Sequence, residues 1–335
     1  MKKLRFGILA TGKIARRLAG VMQNSSSCEL IAAASRSQEN ARKFAAEFQT
    51  IEVTGYEALL ERDDIDAVYI ATPHPQHHEW CLRAIARGKH VLCEKPLTMT
   101  LAEAEEIADA AKKSGVLVSE AFMYRFHPQT KKLVEFVTSG AIGEVRWVQA
   151  DFGFELEFNR ESRLFANALG GGAILDVGCY TVSMARLIAG AASGVAFSDP
   201  TLIRATGQLN ETEQTDHLAA ALLEFPNGVM ATVRCATSFK IGRRVQIEGT
   251  KGVIELNEPW FAGNAGATIR IRRGDEETIV ETTDSQDLYA PMLEEFASCW
   301  RDGKTETSAM SLADSLGNMR VLEEWYSQIG VRYKC

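Results

Sequence analysis

Hydrophobic and polar positions in the first third of the chain follow two alternating patterns. Short apolar runs of strand length are separated by segments with the composition of helices. Gly88 and Gly115 stand where two of these helices are expected to end. The alternation predicts an α/β domain with a parallel sheet covered by helices. The predicted strands are Phe6–Leu9, Leu30–Ala34, Ala67–Ala71, His90–Cys93 and Val116–Ser119, and the predicted helices are Ile14–Met22, Ala41–Phe48, Glu79–Ala86 and Leu101–Lys113.

From about residue 121 the pattern changes to a helix, a long strand and a series of further strands. Pro226-Asn227-Gly228 is typical of a hairpin turn between two of them. The pattern predicts a second, α+β domain with a large, mostly antiparallel open sheet. We therefore expect one domain at 1–121 and another at 122–335, with C-terminal helices able to pack back on the first. The predicted elements are helices Gln129–Ser139, Leu288–Trp300 and Ala309–Ile329, and strands Glu144–Phe158, Thr201–Leu209, His217–Phe225, Val229–Thr237, Arg244–Glu248 and Gly252–Leu256.

The length and composition of the chain are sufficient for two hydrophobic cores. A chain of 335 residues with 46% hydrophobic residues exceeds the size at which single cores stop growing, about 250–300 residues. The net charge is −7 and no block of Lys or Arg stands out, so nucleic acid is not expected as a partner. The apolar stretch Phe6–Ala10 is short and soon interrupted by charges, so we expect no signal peptide. No other apolar run of about 18 residues is expected, and hence no membrane span.

The seven cysteines are dispersed without a paired or metal-ligand spacing. An odd, scattered set is typical of a reducing compartment, so the expected location is the cytoplasm. His74, His77 and His78 lie within five residues, but no second cluster of ligands supports them, and no metal is expected. His77 is instead expected to touch a cofactor or to cap a helix.

A dinucleotide-loop pattern follows the first strand. Ala10-x-Gly12-x-x-Ala15 matches the fingerprint with Ala at its first position, between a strand and a helix. Gly12 would let the backbone approach a pyrophosphate, whose charge meets the helix N-terminus. An ordinary strand–helix turn is the alternative. The candidate cofactor residues here are Gly7, Ala10, Thr11, Gly12, Lys13 and Ile14.

The end of the second strand indicates which nucleotide is bound. Chains that bind NAD usually place an acid there, roughly 20 residues beyond the loop, to accept the ribose hydroxyls. This sequence has Ser35-Arg36-Ser37 instead. A guanidinium binds phosphate, so the pattern predicts NADP(H) with a 2′-phosphate rather than NAD(H). The alternative is that Arg36 only caps a solvated loop.

Two further strand ends carry polar residues. Ala71-Thr72-Pro73 ends one strand, where ligands of parallel sheets lie. Glu94-Lys95-Pro96 ends the next, and the proline disfavours helix at Lys95 and holds it at the strand end. The candidates for cofactor binding at these two strand ends are Ala71, Thr72, Pro73, Glu94 and Lys95.

A glycine run at Gly170–Gly172 precedes an acid and a phenol four residues apart, Asp176 and Tyr180. If this segment is helical, both side chains project from one face. An ammonium such as that of Lys95 favours the charged form of a neighbouring phenol. At pH 7 a phenolate would need about 4 kcal/mol of stabilisation, since tyrosine titrates near ~10. Tyr180 could otherwise be a core residue and Asp176 a helix cap.

With these motifs the chain resembles the Gfo/Idh/MocA oxidoreductase family over essentially its full length. Glu120–Pro128 and Glu161–Phe165 resemble the branch of dimeric dihydrodiol dehydrogenases and NADP-dependent xylose dehydrogenases. Tyr180 stands where many members have His, which agrees with the dihydrodiol and glucose-fructose oxidoreductase branches. The resemblance implies a Rossmann domain, a C-terminal sheet domain, NADP(H), and a homodimer through the open sheet, with a tetramer left open. The motifs that carry it are Gly7–Ala15, Thr72-Pro73 with His77, Gly88–Pro96, Glu120–Pro128, Glu161–Phe165 and Gly170–Tyr180.

The resemblance also implies a reaction. Tyr180 and Lys95 would handle the proton while a hydride moves to or from the CH–OH or C=O carbon of a sugar, diol or dicarbonyl, and Asp176 would bind or orient that substrate. Arg125 and His127 would bind substrate or form structural ion pairs. The rival hypotheses are an NAD-dependent glycoside hydrolase of this fold and a non-catalytic nucleotide or sugar sensor.

Overall fold

A computed structural model describes residues 2–262, 267–282 and 287–334 of the chain. They form two compact units. The first contains the described residues up to Phe126 together with Tyr289–Leu316, and the second contains those of His127–Leu288 together with those from Gly317 onward. This division differs from a single cut after residue 121. The helix at Ala290–Arg301 joins the first unit because it packs on that unit's sheet, where Phe296 lies 5.7 Å from Phe6, centroid to centroid.

The first unit contains a six-stranded parallel sheet in the order β3-β2-β1-β4-β5-β6. This is the strand order of the doubly wound dinucleotide-binding fold, so the predicted fold class is confirmed. The third strand was not predicted, because four residues with three exposed side chains show little apolar pattern. The strands are β1 Leu4–Leu9, β2 Cys28–Ser35, β3 Ile51–Thr54, β4 Ala67–Ile70, β5 His90–Cys93 and β6 Val118–Glu120.

The helices of this unit begin and end where local chemistry dictates. Thr100 and Glu103 form a capping box at the start of one helix, and Gly115 ends it in the left-handed conformation with φ 66°. Gly88 likewise has a positive φ after the preceding helix. These helices are α1 Lys13–Gln23, α2 Gln38–Phe48, α3 Tyr56–Leu60, α4 His77–Ala86, α5 Leu101–Ser114 and α6 Met123–Phe126.

The second unit contains an eight-stranded sheet in the order β14-β13-β12-β11-β7-β10-β9-β8, in which only β7 and β10 pair in parallel. The predicted hairpin at Pro226-Asn227-Gly228 joins β9 to β10, and Gly228 has φ 78°. From residue 127 onward, the elements in chain order are α7 Pro128–Thr138, β7 Val145–Gly153, α8 Cys179–Ala191, β8 Leu202–Leu209, β9 Asp216–Glu224, β10 Met230–Ala236, β11 Arg243–Gly249, β12 Gly252–Leu256, β13 Thr268–Arg273, β14 Glu276–Glu281, α9 Ala290–Arg301 and α10 Leu312–Gln328.

Two strands of this sheet, the edge strand β14 and its neighbour β13, were not predicted. Charged side chains hide the alternation in β14. Its glutamates pair with arginines of β13, where Arg272 lies opposite Glu277 and Arg270 forms an ion pair with Glu277 at 2.9 Å. The predicted long strand to Phe158 ends earlier, at Gly153. Charged residues on an edge strand discourage pairing with a further strand, so they are expected on β14.

One face of the large sheet is covered and the other is open. Helix α8 packs on β7 and β10. On the opposite face the half-buried Trp147, Met230 and Leu222 lie on neighbouring strands. An antiparallel sheet with one apolar face covered and another partly exposed is a common arrangement.

One segment differs from the expectation about membrane spans. Asn167–Ala191 is long and apolar enough to cross a membrane, with a mean hydropathy of 1.3, but its apolar window is 100% buried inside the protein. A buried, all-round apolar helix of this kind is also found in protein cores.

Candidate active site

The loop between β1 and α1 leaves the N-terminus of α1 accessible. Gly12 is the N-cap and no side chain bonds to the first turn. A Cβ at Gly12 would meet no atom within 4 Å, so the space before the helix is open. Ala10 has φ 79°, the left-handed conformation that a glycine usually takes at this position of the fingerprint. Thr11 and Lys13 are at least partly exposed beside it, and Ile14 is half-buried. The backbone here fits a pyrophosphate.

Gly7 lies in the first strand, three residues before Ala10, in agreement with the predicted strand Phe6–Leu9, and its contact with a cofactor stays a prediction. A Cβ on Gly7 would come within 2.6 Å of Leu59 and 2.8 Å of Ile65. Gly7 is therefore required for packing α3 against the sheet, and it does not belong to the loop.

The end of β2 carries the residues predicted to select the nucleotide. Ser37 caps α2 by accepting a hydrogen bond from Asn40 N at 3.4 Å, and Ser35 Oγ accepts one from Ser37 N at 3.2 Å. Arg36 is exposed and hydrogen-bonds the Tyr56 hydroxyl. Burial raises the pKa of Tyr56, and Arg36 opposes part of that rise. The end of β2 therefore presents the exposed Arg36 and Ser37 side chains to solvent, while Ser35 is buried beneath them.

The end of β4 is tied to the end of β5 by a buried histidine. His77 is 0% exposed, and its ring nitrogens lie 2.8 Å from Thr72 O and 2.9 Å from Pro96 O. Both polar atoms of the ring are thus engaged with backbone, so His77 holds two loops together. A contact between His77 and a cofactor stays a prediction. Thr72 Oγ1 is buried and has no hydrogen-bond partner in the part of the chain that the structure describes, which fits a polar ligand at this edge. Ala71 and Pro73 flank it and are half-buried.

Hydrogen bonds fix the backbone and side chains on both sides of Lys95 in the sequence. Tyr69 donates to the Glu94 carboxylate before it, and Leu97 N donates to Glu120 Oε1 at 2.8 Å after it. Burial and the Glu94 carboxylate raise the pKa of Tyr69, so this phenol keeps its proton and donates it. Lys95 itself is half-buried, next to a cis peptide bond to Pro96. The sequence did not single out Tyr69 or Glu120, because their roles depend on contacts between strands.

In the second unit, the segment that carries the predicted acid and phenol begins as a π-helical turn. Residues Ile174–Gly178 form this turn, in which Cys179 N bonds back to Ile174 O, and α8 continues from it. Such turns are rare and occur frequently at functional sites. Asp176 lies within the turn and Tyr180 lies in the first turn of α8, so the expected helical placement is found with a wider first turn.

Asp176 is 6% exposed and pairs with the Arg163 guanidinium at 3.2 Å. Arg163 is half-exposed and comes from the preceding loop. Because the carboxylate is nearly buried, an ion pair keeps it from being an isolated charge. The arrangement presents an oriented carboxylate at the start of the helix.

Tyr180 is enclosed by aromatic rings. Phe152 and Trp260 contact it edge to face at centroid distances of 5.3 and 5.9 Å, and they stack on each other at 5.7 Å. Trp260 is 0% exposed and its Nε1 donates to Asp151 O at 3.1 Å. These rings fix the phenol and lower the polarity around it. Trp260 was not predicted, since it follows β12 about 80 residues after Tyr180, an offset that no local pattern records.

Two residues predicted to contact substrate have structural partners. Arg125 is buried and pairs with Asp314 at 2.7 Å, within the first unit. His127 is buried in the second unit and caps α7 by accepting a hydrogen bond from Gln129 N at 3.1 Å. Of the two alternatives for these residues, the contacts favour the structural one. Within residues 2–262, 267–282 and 287–334, no group of three or more His, Cys, Asp and Glu side chains is arranged to hold a metal ion.

Comparison with known proteins identifies the class. An oxidoreductase family model with an NAD-binding Rossmann fold matches residues 4–122, and the C-terminal domain model of the same family matches residues 130–255. The chain therefore belongs to the Gfo/Idh/MocA oxidoreductase family.

Individual relatives match almost the whole chain. The trans-1,2-dihydrobenzene-1,2-diol dehydrogenase of Mus musculus is 32% identical over 340 residues, covering 98% of both chains. A D-xylose 1-dehydrogenase (NADP(+)) of Haloferax volcanii is 34% identical over 324 residues, covering 96% of both. A solved structure of a 3-ketoreductase from Actinomadura kijaniata, in complex with NADP and TDP-benzene, has a TM-score of 0.88 at 28% identity and covers 98% of both chains.

Proposed function

We propose that this oxidoreductase uses NADP(H) to move a hydride to or from a CH–OH or C=O carbon of a sugar or a cyclic trans-diol. The observation that carries the choice of nucleotide is the end of β2, where Arg36 stands between Ser35 and Ser37 in place of an acid. A guanidinium and hydroxyls stabilise a 2′-phosphate, whereas a carboxylate would repel it. The xylose dehydrogenase and the ketoreductase, whose names include NADP, support the same choice.

A bound nicotinamide supplies or accepts the hydride. The chain must handle the accompanying proton, because an alcohol that loses hydride also gives up its hydroxyl proton. We assign that proton to the Tyr180 hydroxyl, which the rings of Phe152 and Trp260 hold in a low-polarity environment. The Lys95 ammonium would favour the phenolate, and Asp176 would orient the substrate hydroxyl.

The first experiment is a fluorescence titration of the purified protein with NADPH and NADH, followed by absorbance of the nicotinamide band with NADP+ and D-xylose, and with NADP+ and trans-1,2-dihydrobenzene-1,2-diol. Tighter NADPH binding and net turnover of either compound are expected. Preferential NADH binding would contradict the role of Arg36. Glycoside cleavage without net change in the nicotinamide would favour the hydrolase hypothesis, and binding without any turnover would favour a sensor.

We further propose that the chain forms a homodimer through the open face of its large sheet. Met230 faces Trp147 on the neighbouring strand, and Leu222 lies one strand further, so half-buried apolar side chains are contiguous there. Such a patch on a sheet is typical of a subunit contact. Light scattering after gel filtration should report a dimer that Trp147→Glu dissociates, whereas Val195→Glu on an exposed loop should not. A dimer that survives Trp147→Glu would exclude this face.

The cysteines support a reducing compartment, for which we propose the cytoplasm. The six cysteines within the described residues are all buried free thiols, and Cys335 lies outside those residues. Buried thiols without disulfides are typical of proteins kept reduced.

A further inference from the structure

A buried carboxylate lies beneath the segment that carries Asp176 and Tyr180. Asp216, the first residue of β9, is 1% exposed, and its Oδ2 accepts a hydrogen bond from Ile174 N at 2.8 Å. Ile174 is the first residue of the π-helical turn. The amides at the start of a helical segment have no partner within it, so a carboxylate at this point satisfies one of them.

A local irregularity of the sheet aims Asp216 at this turn. The register between β8 and β9 shifts between Gln208 and Leu209, so that His217 is an extra residue in β9. Ala219 pairs with Cys235, which faces the turn beneath Gly178. Strict alternation from Ala219 would turn Asp216 to the open face of the sheet. The bulge reverses this and brings the carboxylate under the helical segment.

The glycine run is shaped around the same carboxylate. Gly172 has φ 121°, and a Cβ on it would collide with Asp216 Oδ1. Asp216 Oδ1 has no hydrogen-bond partner among the described residues, so one oxygen holds the turn and the other lies against Gly172. A bulkier residue at either position would shift the first residues of the turn.

We propose that Asp216 is a positioning residue, whose carboxyl group fixes the start of the turn and thereby sets where Asp176 and Tyr180 point. The segment from Ile174 to the end of α8 is continuously helical, so a displacement at its first residue is transmitted to Tyr180. This inference rests on the proposed role of Tyr180.

The first test compares Asp216→Ala with Asp216→Asn, using NADP+ and whichever of D-xylose or trans-1,2-dihydrobenzene-1,2-diol turns over. Asp216→Ala removes the acceptor, and a displacement of about 1 Å at a reacting group costs on the order of 100-fold in rate, so kcat should fall by about that factor. Asp216→Asn keeps an acceptor of the same shape, and kcat should fall only severalfold. The KM for NADP+ should stay within about twofold in both, because the nucleotide loop lies in the other unit.

The second test uses pH. Burial raises the pKa of Asp216 to about 7, although the backbone N–H groups of Ile174 and Ala173 oppose that rise. The ionised carboxylate accepts a stronger hydrogen bond than the protonated one, which resembles the asparagine amide. The ratio of wild-type kcat to Asp216→Asn kcat should therefore rise from about 1 at pH 6 to severalfold at pH 8, with a midpoint near pH 7.

The neighbouring titratable groups Cys235 and His217 are not expected to titrate with a midpoint near pH 7. Burial, with Asp216, Cys179 and Asp176 nearby, raises the pKa of the Cys235 thiol well above its usual value. Burial lowers the pKa of His217, the next residue of β9, below its usual 6.5. His217→Gln is therefore the matched control, and its kcat ratio to wild type should not change between pH 7 and 8.

The outcomes separate this inference from the proposed function. If Asp216→Ala keeps wild-type kcat while Tyr180→Phe loses it, Asp216 has no positioning role and the proposed function stands. Equal losses in the alanine and asparagine variants, or a ratio that does not vary with pH, also overturn the inference, and the pH ratio decides alone if Asp216→Ala does not fold. If no compound turns over, the proposed function fails. Amide exchange at Ile174 then still decides whether Asp216 holds the turn, since Asp216→Asn should retain the protection.

Discussion

The proposed cofactor end in the first unit and the proposed reaction end in the second hold their residues in different ways. In the first unit, Gly12 and Arg36 lie in exposed loops directly after strands, and backbone amides provide much of the binding surface. In the second unit, Asp176 and Tyr180 are buried, and side chains from distant strands hold them. The first kind of site needs access and a helix terminus, whereas the second needs a rigid, low-polarity environment.

The difference teaches where sensitivity to mutation should lie. An exposed loop residue contributes its own contacts to a ligand and little to the packing around it. A buried residue at the reaction end contributes both its chemistry and the position of its neighbours. We therefore expect large, turnover-specific losses in the second unit and smaller, binding-specific losses in the first.

The largest effect is expected for Tyr180→Phe. Removal of the hydroxyl eliminates the group that exchanges the proton, and kcat should fall by about 10²–10⁴ while NADPH affinity is unchanged. Steady-state kinetics and NADPH fluorescence titration measure the two quantities. Tyr326→Phe, which alters another buried phenol of the same unit, is the control and should retain kcat. Wild-type turnover in Tyr180→Phe would remove this residue from the mechanism.

The next effect is expected for Arg36→Ala. Loss of charge-assisted hydrogen bonds to a 2′-phosphate, about 1.5–3 kcal/mol, should weaken NADPH binding by about 10–100-fold and leave NADH binding nearly unchanged. The two dissociation constants are measured by titration. Arg42→Ala on the exposed surface of α2 provides a control for the loss of one positive charge. An equal loss for both nucleotides would mean that Arg36 does not distinguish them.

A smaller effect is expected for Trp260→Phe. The substitution retains an aromatic ring beside Tyr180 but removes the hydrogen bond to Asp151 O, worth about 0.5–1.5 kcal/mol. We expect a loss of thermal stability and a several-fold lower kcat, measured by calorimetry and kinetics. Trp300→Phe in the first unit should not change kcat. If both tryptophan variants behave alike, the rings around Tyr180 have no specific influence on the reaction end.

The smallest effect on turnover is expected for Thr100→Ala. The capping box at the start of α5 is lost, and the free energy of unfolding should fall by about 1 kcal/mol. Because the lost hydrogen bonds are local to the start of α5, which carries none of the proposed reaction residues, kcat should remain within about twofold of the wild-type value. Denaturant unfolding and kinetics at the same temperature test this. A large loss of kcat would show that the first unit also transmits small structural changes to turnover.

The elements that were predicted well have a strong local pattern. The bounds of β5 and β12 agree with the structure, because both are short apolar runs followed or preceded by turn residues. The strands β3 and β14 were missed, since exposed and charged side chains obscure their alternation, and β13 was missed although Ile269 and Ile271 alternate with arginines. The close packing of Leu59 and Ile65 beside Gly7 was not predicted, because a motif records spacing and not the neighbour that occupies the space beside a glycine.

The sequence by itself indicated the parallel sheet and the loop after β1, because these depend on the local spacing of glycines and apolar runs, and its motifs indicated the family by resemblance. The tertiary structure decided which residues surround Tyr180 and which carboxylate lies beneath its helix. Asp216 follows Ile174 by 42 residues and reaches it only through a β-bulge. Trp260 reaches Tyr180 from beyond β12. Contacts of this kind arise when the sheet closes under the helix, and no periodicity along the chain records them.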